Sequence, residues 1–174
     1  PTLNELKRTG NEFIGCLYAG LMITESGPKV IEFNCRLGDP ETQVVLPLIE
    51  GDFLELIYSA AKGKVNKNSI KYSGGCSVCI VASSAGYPDK YEKGFEINGL
   101  DLTDENIIIY HAGTVEKNGK ILTNGGRVLG VTSVINSNDL ITAKRIAYQA
   151  IEKISFEGMY YRKDISDKAF KFIK

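Results

Sequence analysis

The residues whose types and spacing best suit chemistry lie in one run: Lys29-Val30-Ile31-Glu32-Phe33-Asn34-Cys35-Arg36-Leu37-Gly38-Asp39-Pro40-Glu41-Thr42-Gln43. Val30, Ile31 and Phe33 are the β-branched and aromatic residues of a strand. Glu32 and Asn34 stand two apart, so they share one face of it. A carboxylate and an amide oxygen side by side form an oxygen ligand pair of the kind Mg2+ accepts. Arg36 extends the same face, where a guanidinium fork suits an acyl phosphate or a carboxylate. Gly38-Asp39-Pro40 breaks the strand, and Glu41 onward reads as a helix. Polar groups at a strand end, followed by a loop and a helix start, are a common setting for phosphate chemistry. Pattern alone also fits plainer roles. Glu32 and Asn34 suit a solvent-facing strand side, Arg36 a surface salt bridge, and Asp39 and Glu41 the cap of the following helix.

A second candidate is Thr123-Asn124-Gly125-Gly126-Arg127. Consecutive glycines allow positive φ and an outward row of N–H groups, which suits a phosphate, and Arg127 adds charge. The same residues also make an ordinary hairpin turn. His111 is the only histidine, which excludes multi-histidine metal sites and favours a hydrogen-bonded imidazole in a strand. Cys76-x-x-Cys79 has zinc-like spacing, but in an apolar strand its sulfurs point to opposite faces and no second pair accompanies it.

The elements that must position these groups follow from periodicity and turn chemistry. Thr2 to Lys7 reads as a short helix. Phe13 to Thr24 and Lys29 to Arg36 read as strands joined by Glu25-Ser26-Gly27-Pro28 into an antiparallel hairpin. Glu41 to Glu50 reads as a helix that Pro47 kinks or breaks. Asp52 caps a helix over Phe53 to Lys62, stopped by Gly63. Lys64 to Ser73 is polar and loop-like and marks the best boundary. Beyond it, strands are expected over Cys76 to Ser83, Ile107 to Val115, Lys120 to Thr123 and Arg127 to Ile135, with a hairpin turn at Asn118-Gly119. Asn138 or Asp139 caps a helix running to about Ile154. Its apolar stripe is Leu140, Ile141, Ala143, Ile146, Ala147, Ala150, Ile151 and Ile154.

Composition narrows the classes. The 174 residues are 43% hydrophobic and 24% charged, with 21 basic and 21 acidic side chains. That suffices for one good core or two small ones. A net charge of zero gives no electrostatic case for nucleic acid or an anionic membrane. No apolar run is long enough to span a bilayer. Cys16, Cys35, Cys76 and Cys79 read as free buried thiols of a cytoplasmic protein.

The run Glu32-Phe33-Asn34-Cys35-Arg36-Leu37-Gly38-Asp39-Pro40-Glu41 resembles the signature of the phosphoribosylamine–glycine ligases (glycinamide ribonucleotide synthetases), ATP-grasp enzymes of de novo purine synthesis. The resemblance continues through Gly15-Cys16-Leu17-Tyr18-Ala19-Gly20-Leu21-Met22-Ile23, His111-Ala112-Gly113-Thr114, Thr123-Asn124-Gly125-Gly126-Arg127-Val128 and Tyr161-Arg162-Lys163-Asp164-Ile165, in the family's order. It implies an α+β fold. The carboxy-terminal lobe of an ATP-grasp domain would occupy residues 1–65. A small antiparallel-sheet domain with a packed helix would occupy residues 66–174.

The resemblance also implies ATP-dependent joining of 5-phosphoribosylamine and glycine through a glycyl phosphate, with no protein nucleophile. Glu32 and Asn34 would hold Mg2+ (or Mn2+) on the ATP phosphates. Arg36 and Asp39 are the candidate catalytic groups. Arg36, Asp39, Pro40 and Glu41 would face the amine substrate, and Gly125, Gly126 and Arg127 the phosphoribosylamine. Many ATP-grasp enzymes carry another acidic ligand on the preceding strand, where this chain has Gly20. Without an initiator Met, the chain reads as a carboxy-terminal fragment. Its partner would be the amino-terminal part of the same protein, and alone it is expected to be inactive. Two other readings stay open. One is another ATP-grasp carboxylate–amine ligase, which should lack the Arg-Leu-Gly-Asp-Pro-Glu run. The other is a non-catalytic binding or assembly module.

Overall fold

The computed structural model describes residues 1–171, and the chain divides into two compact units, residues 1–42 with 49–73, and residues 43–48 with 74–174. Among the described residues no helix is long and apolar enough to cross a membrane.

The first unit opens with helix α1 (Thr2–Arg8), whose exposed Glu5 and Arg8 pair across one turn. Strands β1 (Tyr18–Thr24) and β2 (Gly27–Asn34) form the expected hairpin, an isolated two-stranded sheet turning at Glu25 and Ser26. A register shift after Gly20 sets Gly20 against Glu32 and Tyr18 against Asn34. The strand expected over residues 29–36 thus ends two residues early, at Asn34.

The helix expected over residues 41–50 is shorter than predicted. Helix α2 (Glu41–Val45) gives way to a 3-10 turn over Leu46–Leu48 that contains Pro47, and then to strand β3 (Ile49–Gly51). A proline inside a helix removes one N–H and crowds the preceding turn, which ends α2 here. Helix α3 (Phe53–Ala61) starts where its cap was read: Asp52 Oδ1 accepts from the Glu55 N–H at 2.8 Å. Gly63, at φ +71°, ends it. The polar stretch 64–73 is not all loop. Strand β4 (Ile70–Tyr72) pairs with β3, and Lys71 meets Glu50 at 2.9 Å.

The second unit is built on a four-stranded antiparallel sheet. Its members are β5 (Cys76–Ser84), β6 (Ile107–His111), β9 (Arg127–Ile135) and the short β10 (Met159–Tyr160), in the order β10-β5-β9-β6. The strand expected over residues 107–115 breaks at Ala112-Gly113. Its second half, β7 (Thr114–Lys117), instead pairs with β8 (Lys120–Thr123) in a separate hairpin. The turn of that hairpin is Asn118-Gly119, with φ of 53° and 73°, the left-handed pair a two-residue hairpin needs.

Register explains the core. Ile80 faces Val131, Ala82 faces Leu129 and Val78 faces Ser133 across β5 and β9. These residues share one sheet face with the buried Ala143, Ala147, Ala150 and Ile151 of helix α4 (Leu140–Ile151). Small alanines let the helix lie close, and Ser133 Oγ donates to the Ala143 carbonyl at 2.7 Å. Asp139 caps α4, as read. Of the predicted stripe, Ile141 faces solvent, 68% exposed. On the other sheet face, Ser77 Oγ donates to the Val44 carbonyl at 2.6 Å, so residues 43–48 cover β5. Cys79 is buried on β5 and Cys76 half-buried. Cys16 and Cys35, expected inside, are exposed because the two-stranded β1–β2 sheet they flank is itself mostly uncovered.

Candidate active site

Glu32 and Asn34 close the end of β2 on one face. The Asn34 amide nitrogen donates to Glu32 Oε1 at 2.9 Å, so the two side chains lie within reach of a single ion. Their register partners are compact or pinned. Gly20 stands opposite Glu32, and a Cβ there would come 3.2 Å from Glu32 Cγ. Glycine at this position therefore leaves room for the Glu32 side chain. It supplies no carboxylate, and among the described residues no group of three or more His, Cys, Asp or Glu could hold a metal. The donor set does fit a hard cation. Both side chains offer oxygen, and Mg2+ takes one or two protein ligands and completes its shell with phosphates and water.

Arg36 does not continue that face. The strand has ended, the backbone bends, and Arg36 Nη1 donates to the adjacent Leu37 carbonyl at 2.8 Å. Its side chain is exposed, attached to the loop and not the sheet. The loop then turns through Gly38 and the cis Asp39–Pro40 peptide. Glu41 is not a helix cap. It is fixed from the hairpin, where the Tyr18 hydroxyl donates to Glu41 Oε1 at 2.9 Å. The other carboxylate oxygen lies where a Cβ on Gly38 would stand. Gly38 is buried, and its carbonyl accepts from the Thr42 N–H at 3.1 Å. The Glu41 carboxylate holds the Tyr18 hydroxyl above the ordinary phenol range, with burial and the charge of Glu32 adding to it. Tyr18 thus joins the strand opposite Asn34 to the loop carrying Asp39, Pro40 and Glu41.

The Gly125-Gly126-Arg127 segment is not a hairpin turn. It carries the chain from β8 into β9, between two different sheets. Neither glycine has positive φ. They are glycines because backbone and a ring crowd them. A Cβ on Gly113 would stand 2.6 Å from Gly125 Cα, and one on Gly126 would overlap the Tyr87 ring. Ser84 ties the segment down: its N–H donates to the Gly126 carbonyl at 2.8 Å and its Oγ to the Gly125 carbonyl at 2.9 Å. Arg127 Nε donates to the Tyr87 hydroxyl at 3.0 Å. His111 ends β6 with Nδ1 3.0 Å from Thr114 Oγ1, a hydrogen-bonded strand imidazole as read.

Residues 77–168 match the family described as phosphoribosylglycinamide synthetase, C domain, and residues 1–42 match the ATP-grasp (A) domain of the same synthetase. The chain belongs to the phosphoribosylglycinamide synthetase family. Among its relatives, a phosphoribosylamine–glycine ligase from Caldanaerobacter subterraneus is 52% identical over 95% of this chain and 39% of its own length. A bifunctional purine biosynthetic protein from Dictyostelium discoideum is 47% identical over the whole chain and 22% of its own length. The crystal structure of a phosphoribosylamine–glycine ligase from Thermotoga maritima superposes with a TM-score of 0.76 at 38% identity, over 94% of this chain and 40% of that one. The chain therefore spans about two fifths of the length of the single-function ligases it matches.

Within this synthetase fold, the sequence-predicted residues divide cleanly. Glu32, Asn34, Arg36, Asp39, Pro40 and Glu41 lie in the first unit, and Gly125, Gly126 and Arg127 in the second. Sequence reasoning missed Tyr18, Ser84, Tyr87 and Gly113. Tyr18 was within reach, since pairing the two predicted strands sets it near Asn34. Ser84 and Tyr87 meet the 125–127 segment from about 40 residues away, and no local pattern announces such a contact.

Proposed function

We propose that this chain supplies the metal-binding strand and the substrate-phosphate segment of an enzyme that joins 5-phosphoribosylamine to glycine. ATP becomes ADP and phosphate, and glycyl phosphate is the activated intermediate. The observation that carries this reading is the Glu32–Asn34 oxygen pair at the end of β2, directly before the loop that holds Asp39, Pro40 and Glu41. Mg2+ or Mn2+ held by Glu32 and Asn34 would offset the charge on the ATP phosphoryl oxygens during transfer.

The chain's own groups do the positioning. Arg36 keeps one guanidinium nitrogen on Leu37 and offers its remaining donors to the acyl phosphate. Asp39 is assigned to hydrogen-bond the attacking amine, and Glu41, braced by Tyr18, shapes the same loop. Gly125, Gly126 and Arg127 take the phosphate of phosphoribosylamine. Acyl transfer of this kind requires orientation and exclusion of water, because water hydrolyses an acyl phosphate. No side-chain nucleophile is called for.

Glu32→Gln in the full-length ligase tests the reading. It removes the charge and keeps the size, so kcat should fall on the order of 10²-fold or more while the melting temperature holds. Unchanged kcat together with unchanged Mg2+ dependence would remove Glu32 from the metal and end the proposal.

A further inference from the structure

We infer that Tyr87 is a positioning residue for Arg127: it sets the plane of the guanidinium that receives the substrate phosphate. The inference rests on the reading of Gly125-Gly126-Arg127 given above.

Arg127 is an exposed side chain at the first position of β9. Restraining an arginine's rotamers before it binds an anion lowers the entropy cost of that binding. Tyr87 restrains Arg127 twice. Its hydroxyl accepts from Nε at 3.0 Å, and its ring lies 5.9 Å from Cζ, within cation–π range. Fixing Nε fixes the guanidinium plane, and with it the direction of both Nη groups.

Tyr87 is itself held. Its N–H donates to the Ser84 carbonyl at 3.2 Å, and Tyr91 packs edge-on against its ring at 6.3 Å. Gly86 has φ +88°, and a Cβ there would overlap the Lys90 carbonyl, so this loop folds tightly on itself. The ring edge then lies close enough to Gly126 to forbid a side chain there.

The end of β5 polarises the same segment. Ser84 engages both the Gly125 and Gly126 carbonyls. Neither the Gly125 N–H nor the Gly126 N–H has an acceptor among the described residues. Acceptors are tied down on the Ser84 side while donors stay available beside Arg127, the polarity a phosphate needs.

A mutant cycle in the full-length ligase tests this, with KM measured for phosphoribosylamine, glycine and ATP. Arg127→Ala should raise the phosphoribosylamine KM about 10- to 100-fold, the scale of a charge-assisted hydrogen bond, and leave the other two unchanged. Tyr87→Phe keeps the ring, loses the hydroxyl, and should raise the same KM about 3- to 10-fold at an unchanged melting temperature. In the Arg127→Ala background, Tyr87→Phe should add nothing, because its effect passes through Arg127. Calorimetric binding of ribose 5-phosphate should follow the same order. If Arg127→Ala raises KM while Tyr87→Phe does nothing, or acts equally with and without Arg127, Tyr87 is not the positioning residue and the phosphate reading stands. If Arg127→Ala leaves KM unchanged, the phosphate reading fails and this inference fails with it.

Discussion

Two antiparallel strand pairs of this chain, β1–β2 and β5–β9, are made of similar apolar residues and meet different fates. In β1–β2, Ile23 is 67% exposed and Ile31 63%. In β5–β9, Ile80, Ala82, Leu129 and Val131 are fully buried. Composition does not separate them; what covers them does. Helix α4 lies on one face of β5–β9 and residues 43–48 on the other. Among the described residues the β1–β2 pair has no third strand, and such a pair is marginal in water by itself. The difference separates where stability resides from where chemistry is proposed. Glu32 and Asn34 sit on the less buried pair, where a ligand can reach them. In the second unit, the segment proposed to take a phosphate stands at the end of a strand that is otherwise packed on both sides.

The largest expected effect strikes the buried pair. Leu129→Ala should cost about 2–5 kcal/mol, the range for a buried leucine that leaves a cavity. Ile31→Ala on β2 should stay within about 0.5 kcal/mol, as exposed substitutions do. Both are read by denaturant unfolding, with hydrogen exchange at β9 amides reporting the second unit separately. Equal losses would mean that β1–β2 is buried in solution, and the comparison would break.

A smaller effect sharpens the comparison at two glycines. Gly126→Ala drives a methyl into the Tyr87 ring, held by Tyr91 and Arg127. It should cost about 1–3 kcal/mol, as overpacking does, and raise the phosphoribosylamine KM. Gly20→Ala, at a half-buried position, comes closest to Glu32 Cγ at 3.2 Å, part of an exposed side chain that can shift, with the Glu32 backbone at ordinary contact distance. It should leave the melting temperature within about 2 °C, since the exposed Glu32 side chain can yield and such changes stay near about 0.5 kcal/mol. Its mark should be a higher Mg2+ requirement. A reversed order of stability loss would show that the hairpin, not the second unit, is the rigid part.

The sequence exposed the fold wherever one residue decides locally. Asp52 and Asp139 as caps, Gly63 as a stop and Asn118-Gly119 as a turn all act through their own backbone neighbours. Legibility ended where distant chain sets the outcome. Strand residues 107–115 read as continuous, but Gly113 lies against Gly125 and the Arg127 carbonyl, and that contact splits them into two sheets. Residues 70–72 read as loop because β4 is three residues long, lies in a polar stretch and, among the described residues, is paired by β3 alone. In the candidate site, Glu32 and Asn34 were readable from period two. Arg36 was misplaced because the same rule was carried past the strand end. For Gly125 and Gly126 the residue type was informative but the reason differed: steric closeness, not positive φ.

The smallest predicted effect concerns the cap of the helix that makes the difference between the two strand pairs. Asp139 Oδ2 accepts from the Thr142 hydroxyl at 2.6 Å, and Oδ1 from the Thr142 N–H at 3.1 Å. These bonds, the hydroxyl first, hold the Asp139 carboxyl below the ordinary aspartate range. A carboxylate stabilised in the folded state contributes above the unfolded value, about 3.9 for aspartate. The contribution is lost as pH falls through the lower folded value. Asp139→Asn keeps an oxygen that can cap α4 but removes the titration. At pH 7 the natural chain should be the more stable of the two, and the gap should shrink below about pH 5 and vanish once Asp139 is protonated. Because α4 covers β5–β9, the change should appear in β9 exchange and leave β1–β2 exchange untouched. A gap constant from pH 7 to pH 3, or one that appears in the β1–β2 amides, would show that Asp139 does not act through the helix that buries the second unit.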